Sequence, residues 1–350
     1  MMKIEIDGKT IGDGYPCYTV AEVGSNFDGS LERAKKLIDL AKTCGADAVK
    51  FQSFKADKIV SKKGFENLKA GFQTNWKKPV YEVYEDAEFN RNWTKELLNY
   101  SKNKGITFFS APYDKKAVDD LVDAGVSVFK IGSGDITWLE IIEYIAKQGK
   151  PIILGTGAST MTEIQNAVDV IHSTGNEQLV ILQCVTNYPA SFEQANIRAI
   201  ELLRSKFNTL VGYSDHTPGY IVPMGTVALG GCMVEKHFTD DKNRLGPDHP
   251  FAMDGDDFKL MVDNIRTLEK ALGKPEKELY PEESDSVILQ RRCVRAKNKI
   301  TADSIITKSV LEFLRPAPKG SFSPGQLDKI IGRKVKVDIE KGKALLPEHF

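Results

Sequence analysis

The sequence has no excess of charge of one sign. Lys plus Arg and Asp plus Glu both total 48 in a chain of 350 residues, so the formal net charge is zero. A neutral chain has no global field that would attract nucleic acid or an anionic membrane. Any anion that the protein binds must therefore be held by local side chains.

Long apolar runs and a leader-like N-terminus are missing as well. No run approaches the roughly 18 apolar residues of a membrane span. The opening stretch "MMKIEIDGKTIGDGYPCY" has no basic region followed by an apolar segment, which a secretory signal would require. We therefore expect a cytoplasmic protein that binds neither membranes nor nucleic acid.

Cysteine is scarce and its spacing excludes common cysteine sites. The five cysteines are an odd number, are widely spaced and include no CxxC pair, which argues against a disulfide framework or a zinc ribbon. Several lie inside apolar runs such as "ILQCV" and "GGCMV". The pattern predicts five buried free thiols, at positions 17, 44, 184, 232 and 293.

Short β-branched or aromatic runs alternate with segments of helical periodicity. Ser30, for example, is placed to cap a helix that ends at Gly45. Eight βα units within residues 18–273 predict an α/β fold, a TIM barrel, because an open doubly wound sheet would have fewer units and a Gly-rich phosphate turn, and no GxGxxG is present. The predicted strands are 18–24, 47–54, 107–113, 128–135, 151–159, 179–189, 209–216 and 232–240.

The segment from Lys55 to about Arg91 is too long for one βα connection. Loops of this length are usually functional or disordered. We interpret this one as a lid over the mouth of the barrel. Its scattered aromatic residues are Phe65, Phe72, Trp76, Tyr81 and Tyr84.

The amino-acid composition changes after Gly273, where a polar, Pro-containing stretch begins. We expect a barrel domain over residues 1–275, a linker over 276–289 and a small β-rich domain over 290–350. A module of about 60 residues has a thin core and tends to gain stability by docking.

Polar side chains accumulate where the predicted strands end, and active sites of TIM barrels lie at that end. These positions are the candidate site residues. They are Glu22, Lys50, Gln52, Ser110, Lys130, Ser133, Asp135, Thr156, Thr186, Tyr188, Ser214, His216, Glu235 and His237, with Asp248 just beyond.

Two of these residues suggest a metal site. His237 follows His216 by 21 positions (237 minus 216), about one βα repeat. One histidine at a strand end is more often structural, but two at equivalent heights on neighbouring strands form a plausible half-site for Mn²⁺, Mg²⁺ or Zn²⁺. His172 and His349 are expected to play no part.

Lys50 and Lys130 have more than one interpretation. Beside the backbone amides of "GSG" they would form a pocket for a phosphate or carboxylate. Lys50 could instead form a structural pair with Glu22, and a buried lysine of lowered pKa could form a Schiff base. The neighbouring histidines favour a metal with an anion clamp.

Together these motifs resemble the sialic acid synthase family. The resemblance spans nearly the whole chain. The motifs that carry it are "AEVGSNFDGSLERAKKLI", "AVKFQSF", "FKIGSGD", "NYPAS", "GYSDHTPG", "EKHFTDD", "GPDH" and "LRPAPKG".

The resemblance implies a TIM barrel followed by an antifreeze-like (SAF) domain that reaches across a domain-swapped homodimer. It implies condensation of phosphoenolpyruvate with an N-acylated hexosamine, either N-acetylmannosamine or a 2,4-diacetamido-trideoxyhexose, to give a nonulosonic acid and phosphate. A divalent metal, Mn²⁺ or Mg²⁺, is implied on His216 and His237. Arg315 matches the arginine that enters the neighbouring active site.

The remaining roles follow the same resemblance. Lys50 and Lys130, with Ser133 and Ser214, match the phosphoenolpyruvate pocket. Glu22 or Asp135 is expected to act as the base for the water that adds at C2, and to stabilise the positive charge that develops there. Positions around the acyl-hexosamine match Gln52, Tyr188 and Asp248, and Thr186 is expected near the N-acyl group. The ends of the predicted strands, rather than the resemblance, give three more expected substrate contacts, Ser110, Thr156 and Glu235.

Some positions depart from the family pattern. Asp135 stands where glutamate is frequent, and Ala111 and Gly155 replace hydroxyl residues of some members. These departures bear on which hexosamine is used. Two other functions stay open: a Schiff-base, pyruvate-dependent N-acylneuraminate lyase and a non-catalytic sugar-binding protein.

Overall fold

The computed structural model describes residues 1–68, 71, 73 and 76–350. The chain divides into two compact units, Met1–Gly273 and Lys274–Phe350. Each unit has a hydrophobic core of its own.

The first unit is a closed barrel of eight parallel strands, which confirms the predicted TIM barrel. The last strand, Met233–His237, pairs with the strand before it, Leu210–Asp215, and with the first barrel strand, Tyr18–Gly24, so the sheet closes with its strands in chain order. All eight predicted strands are present, although several are shorter than predicted. They are β3 (Tyr18–Gly24), β4 (Ala48–Ser53), β5 (Thr107–Pro112), β6 (Phe129–Ile131), β7 (Ile152–Gly155), β8 (Leu179–Cys184), β9 (Leu210–Asp215) and β10 (Met233–His237).

Side chains alternate between the two faces of each strand, as the period of two requires. In β4, Val49 and Phe51 join the core that the strands share with the helices, whereas Ala48 joins the core inside the barrel. Lys50 has the same parity as Ala48 and lines a cavity at the mouth. Strand parity therefore decides which polar residues reach the mouth.

The helices that pack around the barrel follow from apolar stripes and caps. At the start of the helix Leu31–Thr43, the Ser30 side chain accepts a hydrogen bond from the Arg33 amide, as predicted from its position. The helices of the first unit are α1 (Leu31–Thr43), α2 (Ala56–Ile59), α3 (Lys62–Glu66), α4 (Val80–Asp86), α5 (Thr94–Lys104), α6 (Lys115–Ala124), α7 (Leu139–Ala146), α8 (Met161–Ser173), α9 (Phe192–Ala195), α10 (Ala199–Phe207), α11 (Ile221–Ala228) and α12 (Gly255–Leu272).

An N-terminal hairpin precedes the barrel and was not predicted. β1 (Lys3–Ile6) pairs antiparallel with β2 (Lys9–Gly12). Ile6 and Ile11 are buried in the same cluster as the inward-facing Tyr18 and Val20. The hairpin thus supplies part of the apolar core inside the barrel.

The second unit is small and largely irregular. After α13 (Ser284–Gln290) it contains one antiparallel pair, β11 (Cys293–Ala296) with β12 (Leu311–Leu314). Isolated bridges such as Ile300 with Ile339 tie its loops together. Its core includes Val294, Ile306 and Leu345.

Two predictions from composition can be checked directly. All five cysteines are buried and free, which confirms the prediction. Among the described residues, no helix has the length and apolar character needed to span a membrane.

Candidate active site

A cavity of 310 Å³ lies at the C-terminal ends of the barrel strands. Strand ends supply most of the polar wall, and the segment between β4 and α5 supplies an apolar and aromatic wall. The polar residues on the wall are Glu22, Ser25, Lys50, Gln52, Gln73, Tyr84, Tyr113, Lys130, Ser133, Thr186, Tyr188, Ser214, His216, Glu235, His237 and Asp248.

Two ammonium groups share one carboxylate in this cavity. Glu235 Oε1 lies 2.8 Å from Nζ of Lys50 and 2.7 Å from Nζ of Lys130. Ser214 Oγ donates to the same oxygen at 3.2 Å. Burial alone would raise the pKa of Glu235, but Lys130 and Lys50 outweigh it and hold that pKa well below its usual range. The cluster thus carries two cations against one firmly ionised anion.

Glu22 adds a second carboxyl whose charge is variable. Its Oε2 lies 3.2 Å from Nζ of Lys50, and Gln52 Nε2 donates to its Oε1 at 2.6 Å. Burial raises the pKa of Glu22 to about 7, against the opposing pull of Lys50. A carboxyl with a pKa near neutrality can accept or release a proton during a reaction.

The two predicted histidines meet on the same wall. The ring centroids of His216 and His237 are 5.3 Å apart, and both side chains are buried. His216 Nδ1 lies 2.7 Å from the carbonyl oxygen of Val185. If Nδ1 carries the proton and donates it there, Nε2 keeps its lone pair. Burial lowers the pKa of both imidazoles to about 3, so both are neutral at pH 7.

These imidazoles suit a divalent cation. Neutral imidazole is the form that binds metals, and His237 Nδ1 is buried with no hydrogen-bond partner among the described residues. Asp248 Oδ2 lies 3.9 Å from that nitrogen. No cluster of three or more His, Cys, Asp or Glu ligands occurs in the described part of the chain. Oxygens of water or substrate would have to complete the coordination of a metal held here.

Glycines make room for two of the polar groups. Gly24 has a φ of +55°, and a Cβ atom there would lie 2.6 Å from Oδ2 of Asp248. That carboxylate accepts hydrogen bonds from the amide and the hydroxyl of Ser25. A Cβ atom at Gly155 would lie 2.8 Å from Ser133 Oγ. A larger residue at position 155 would therefore crowd Ser133 as it is placed here.

Sequence comparison identifies the family to which this site belongs. The NeuB family matches residues 37–277, and the SAF domain matches residues 291–350. The chain belongs to the NeuB family. The resemblance to sialic acid synthases that the motifs suggested is thereby confirmed.

Relatives in this family cover the chain almost completely. An N,N'-diacetyllegionaminic acid synthase of Legionella pneumophila is 36% identical over 98% of this chain and 97% of the relative. The human N-acetylneuraminate-9-phosphate synthase is 32% identical over 99% and 97%. The crystal structure of a sialic acid synthetase from Leptospira borgpetersenii, in complex with citrate, aligns with a TM-score of 0.74 at 29% identity and covers 82% of this chain and 95% of that one.

Most of the predicted site residues of this NeuB family member come together. Twelve of them line the cavity: Glu22, Lys50, Gln52, Lys130, Ser133, Thr186, Tyr188, Ser214, His216, Glu235, His237 and Asp248. Arg315 follows β12 in the second unit. His172 lies on α8, next to Glu177.

Three predicted residues are absent from the cavity lining among the described residues, so their roles remain predictions. Ser110 bonds to Ser53 at 2.8 Å, and Thr156 donates to the Leu182 carbonyl at 2.9 Å. Both side chains have the outward parity of their strands, so neither is part of the cavity lining among the described residues. Asp135 ends a 3₁₀ turn and is also absent from that lining, although burial raises its pKa to about 6.

The apolar wall was not predicted residue by residue. Phe54, Ile59, Val83 and Ala87 line the cavity. Trp76 and Tyr84 do so too, as expected of a segment that covers the mouth, whereas Phe72 lies outside the described residues. The signals in the sequence were the unusual length of this segment and its scattered aromatic residues.

Proposed function

We propose that this chain condenses phosphoenolpyruvate with the open-chain aldehyde of an N-acylated hexosamine to give a nonulosonic acid and inorganic phosphate. The observation that carries the proposal is the convergence of two ammonium groups and two neutral imidazoles in one cavity. The names of the relatives support the same class of product.

Each group has a chemical task in this reaction. Lys50 and Lys130 would hold the phosphate and carboxylate of phosphoenolpyruvate, with the Ser133 and Ser214 hydroxyls as further donors. C3 of phosphoenolpyruvate bonds to the aldehyde carbon, water adds at C2, and the C2–O bond to phosphate breaks. Glu22, with a pKa of about 7, is our candidate for the proton transfers to and from that water.

His216 and His237 would hold a divalent cation, Mn²⁺ or Mg²⁺. When bound, such a cation supplies Lewis-acid activation of a carbonyl oxygen. The buried Nδ1 of His237, which has no partner among the described residues, supports this assignment.

The apolar wall bears on the acceptor sugar. Phe54, Ile59 and Val83 offer surface for methyl or acyl groups. Among the described lining residues, the ammonium groups are Lys50 and Lys130, and both already face carboxylates. Among these described lining residues of one chain, a phosphate on the hexosamine would meet no further cation. We therefore infer an unphosphorylated acceptor, such as N-acetylmannosamine or a 2,4-diacetamido-trideoxyhexose.

The test is phosphate release from a panel of acceptors. The full-length chain is incubated with phosphoenolpyruvate, Mn²⁺ and N-acetylmannosamine, its 6-phosphate or a 2,4-diacetamido-trideoxyhexose. We expect release to require all three components and to be fastest with an unphosphorylated sugar. Lys130→Met should abolish release, whereas Lys147→Met, at a surface pair with Glu143, should leave it unchanged.

One observation favours a second function. Burial lowers the pKa of Lys130, and a lysine of lowered pKa suits Schiff-base chemistry with pyruvate. Borohydride trapping of pyruvate on Lys130, with no inhibition by EDTA, would support a lyase and contradict the synthase. Sugar binding without turnover by any acceptor would support a binding protein.

A further inference from the structure

The backbone pairing between β9 and β10 ends before it reaches the two histidines. Its register runs through Glu235 with Ser214 and ends at Lys236 with Asp215. β9 itself ends at Asp215, one residue before His216. The backbone ladder therefore ends one residue short of the pair of imidazoles.

Beyond the end of this pairing, each histidine is held by a different neighbouring segment of the barrel. His216 is held by the segment after β8: its carbonyl accepts from the Ala190 amide at 2.9 Å, and its Nδ1 contacts the Val185 carbonyl. His237 is held on the other side, because its register partner is Glu22 of β3 and its carbonyl accepts from the Met253 amide at 2.8 Å. The separation of the rings thus depends on how these two sides are joined.

Lys236 joins them. Its Nζ donates to Asp215 Oδ2 at 2.5 Å and to the carbonyl oxygen of Thr217. These two acceptors flank His216 along the chain, and Lys236 is adjacent to His237. Asp215 Oδ1 also accepts from the Thr217 amide at 2.8 Å. The peptide that carries His216 is therefore fixed on both sides by the residue that precedes His237.

The burial of this pair points to a geometric role. The Lys236 side chain is 2% exposed and that of Asp215 is fully buried. Replacing a buried ion pair by apolar residues of similar size is often neutral or stabilising, so such a pair is weak evidence for a contribution to stability. Its directional hydrogen bonds, in contrast, fix the relative position of the two strand ends that they connect.

We propose that Lys236 and Asp215 are positioning residues that set the separation and orientation of His216 and His237 for a shared divalent cation. The proposal rests on the metal site of the proposed function. Both side chains have the outward parity of their strands, so they act through the backbone that carries the histidines. Residues that orient metal ligands typically change metal affinity by about tenfold to a hundredfold when they are replaced.

The experiment measures Mn²⁺ binding to the full-length chain by titration calorimetry. The double variant Lys236→Met/Asp215→Leu removes both charges together and keeps approximate volume, so no uncompensated charge is left buried. We expect it to bind Mn²⁺ at least about tenfold more weakly than the wild type. Co²⁺ should reproduce the loss, with a changed visible absorption spectrum that reports altered ligand geometry.

Arg204→Met is the matched control. It removes another ion pair of the same barrel, Arg204 with Asp13 at 2.5 Å. Arg204 lies on α10, before β9 begins, whereas His216 follows the end of β9. Its Mn²⁺ affinity should stay within about twofold of the wild type. The midpoints of thermal unfolding of both variants are measured, so that a loss of stability can be distinguished from a loss of metal binding. If the double variant does not fold, Asp215→Asn, which keeps an acceptor for Lys236, should weaken Mn²⁺ binding by a smaller factor.

Two results would overturn the proposal. Mn²⁺ affinity and a Co²⁺ spectrum unchanged in a folded double variant would show that the pair does not position the imidazoles. A wild-type chain that binds no Mn²⁺ would overturn the metal site itself, and this role with it. A wild-type chain that binds Mn²⁺ but releases no phosphate with any acceptor would contradict the proposed reaction while leaving the positioning role measurable.

Discussion

Oε2 of Glu22 lies 3.2 Å from Nζ of Lys50. The two residues are register partners on adjacent strands, β3 and β4, and both side chains are buried. Burial holds the pKa of Glu22 at about 7. The local charge of the cavity therefore changes near neutral pH, from one net positive charge to none for the cluster of Glu22, Lys50, Lys130 and Glu235.

This change predicts a pH-dependent affinity for phosphoenolpyruvate. Below pH 7 the Glu22 carboxyl is protonated and neutral, so it does not repel an anion. Above pH 7 it is ionised. We expect KM for phosphoenolpyruvate to rise by about tenfold between pH 6 and pH 8, because the protonated fraction of a carboxyl with a pKa of about 7 falls roughly tenfold over that interval. The repulsion of an anion by one charge several Å away is large enough, at several kcal/mol, for the protonated form to be the one that binds. Steady-state kinetics at saturating acceptor sugar measure it.

Glu22→Gln is the comparison for that profile. The substrate's own ionisation affects both proteins equally, so the difference between their profiles isolates Glu22. Superimposable KM profiles would contradict the prediction. A rise of kcat through pH 7 that is lost in the variant would identify Glu22 as the general base, whereas a rise through pH 6 that is lost in Asp135→Asn would assign that role to Asp135.

Most of what could be predicted from the sequence followed from the alternation of inward-facing and outward-facing side chains within each strand. Inward parity links Ala48, Lys50 and Gln52 of β4, and the same rule excludes Ser110 and Thr156 from the cavity. The strand runs and the strand-end residues were therefore sufficient for the barrel and for the twelve cavity residues. Applying the same alternation to β5 and β7 would have excluded those two hydroxyls.

The ion pairs of Glu235 could not be predicted, because they depend on contacts between distant parts of the chain. The partners of Glu235 are separated from it by 185 positions (Lys50) and 105 positions (Lys130), and no local pattern indicates that one carboxylate serves both. The bridge from Lys236 to Asp215 could not be predicted either. Both residues were visible in the motifs, but their pairing depends on where the strand ladder stops.

The histidine pair predicts a selective loss of activity. His237→Ala should retain the fold, because the change removes side-chain atoms at the edge of a cavity. If His237 holds the proposed cation, its removal should cost several kcal/mol of transition-state stabilisation, which corresponds to at least about a hundredfold in kcat/KM. Phosphate release and Mn²⁺ binding should both fall.

His172→Ala is the control for this variant. His172 lies on α8 and its Nε2 is 3.7 Å from Glu177, so we expect activity and Mn²⁺ binding like those of the wild type. Normal turnover by His237→Ala with no bound metal would disprove the metal assignment.

Arg315 provides a prediction about assembly. If the arginine of one chain completes the active site of another, Arg315→Ala and His237→Ala should each be nearly inactive alone. Co-expression should then restore about one quarter of the wild-type activity, since half of randomly formed dimers are mixed and each mixed dimer has one intact site. Recovery of phosphate release in the purified mixture measures it. No recovery, with mixed dimers shown by differential tags, would contradict a shared site.

Replacing Gly24 by alanine should impair substrate binding through a steric contact with a neighbouring side chain rather than through backbone strain. Gly24 and Gly29 have similar positive φ angles, +55° and +66°, so an alanine at either position carries a comparable conformational cost of roughly 1–2 kcal/mol. A Cβ atom at Gly24 would also lie 2.6 Å from Asp248 Oδ2, whereas at Gly29 it would meet no atom within 4 Å. Gly24→Ala should therefore displace Asp248 and raise KM for the acceptor sugar, while Gly29→Ala should lower only the midpoint of thermal unfolding. Equal KM values in two folded variants would mean that Asp248 does not contact the acceptor.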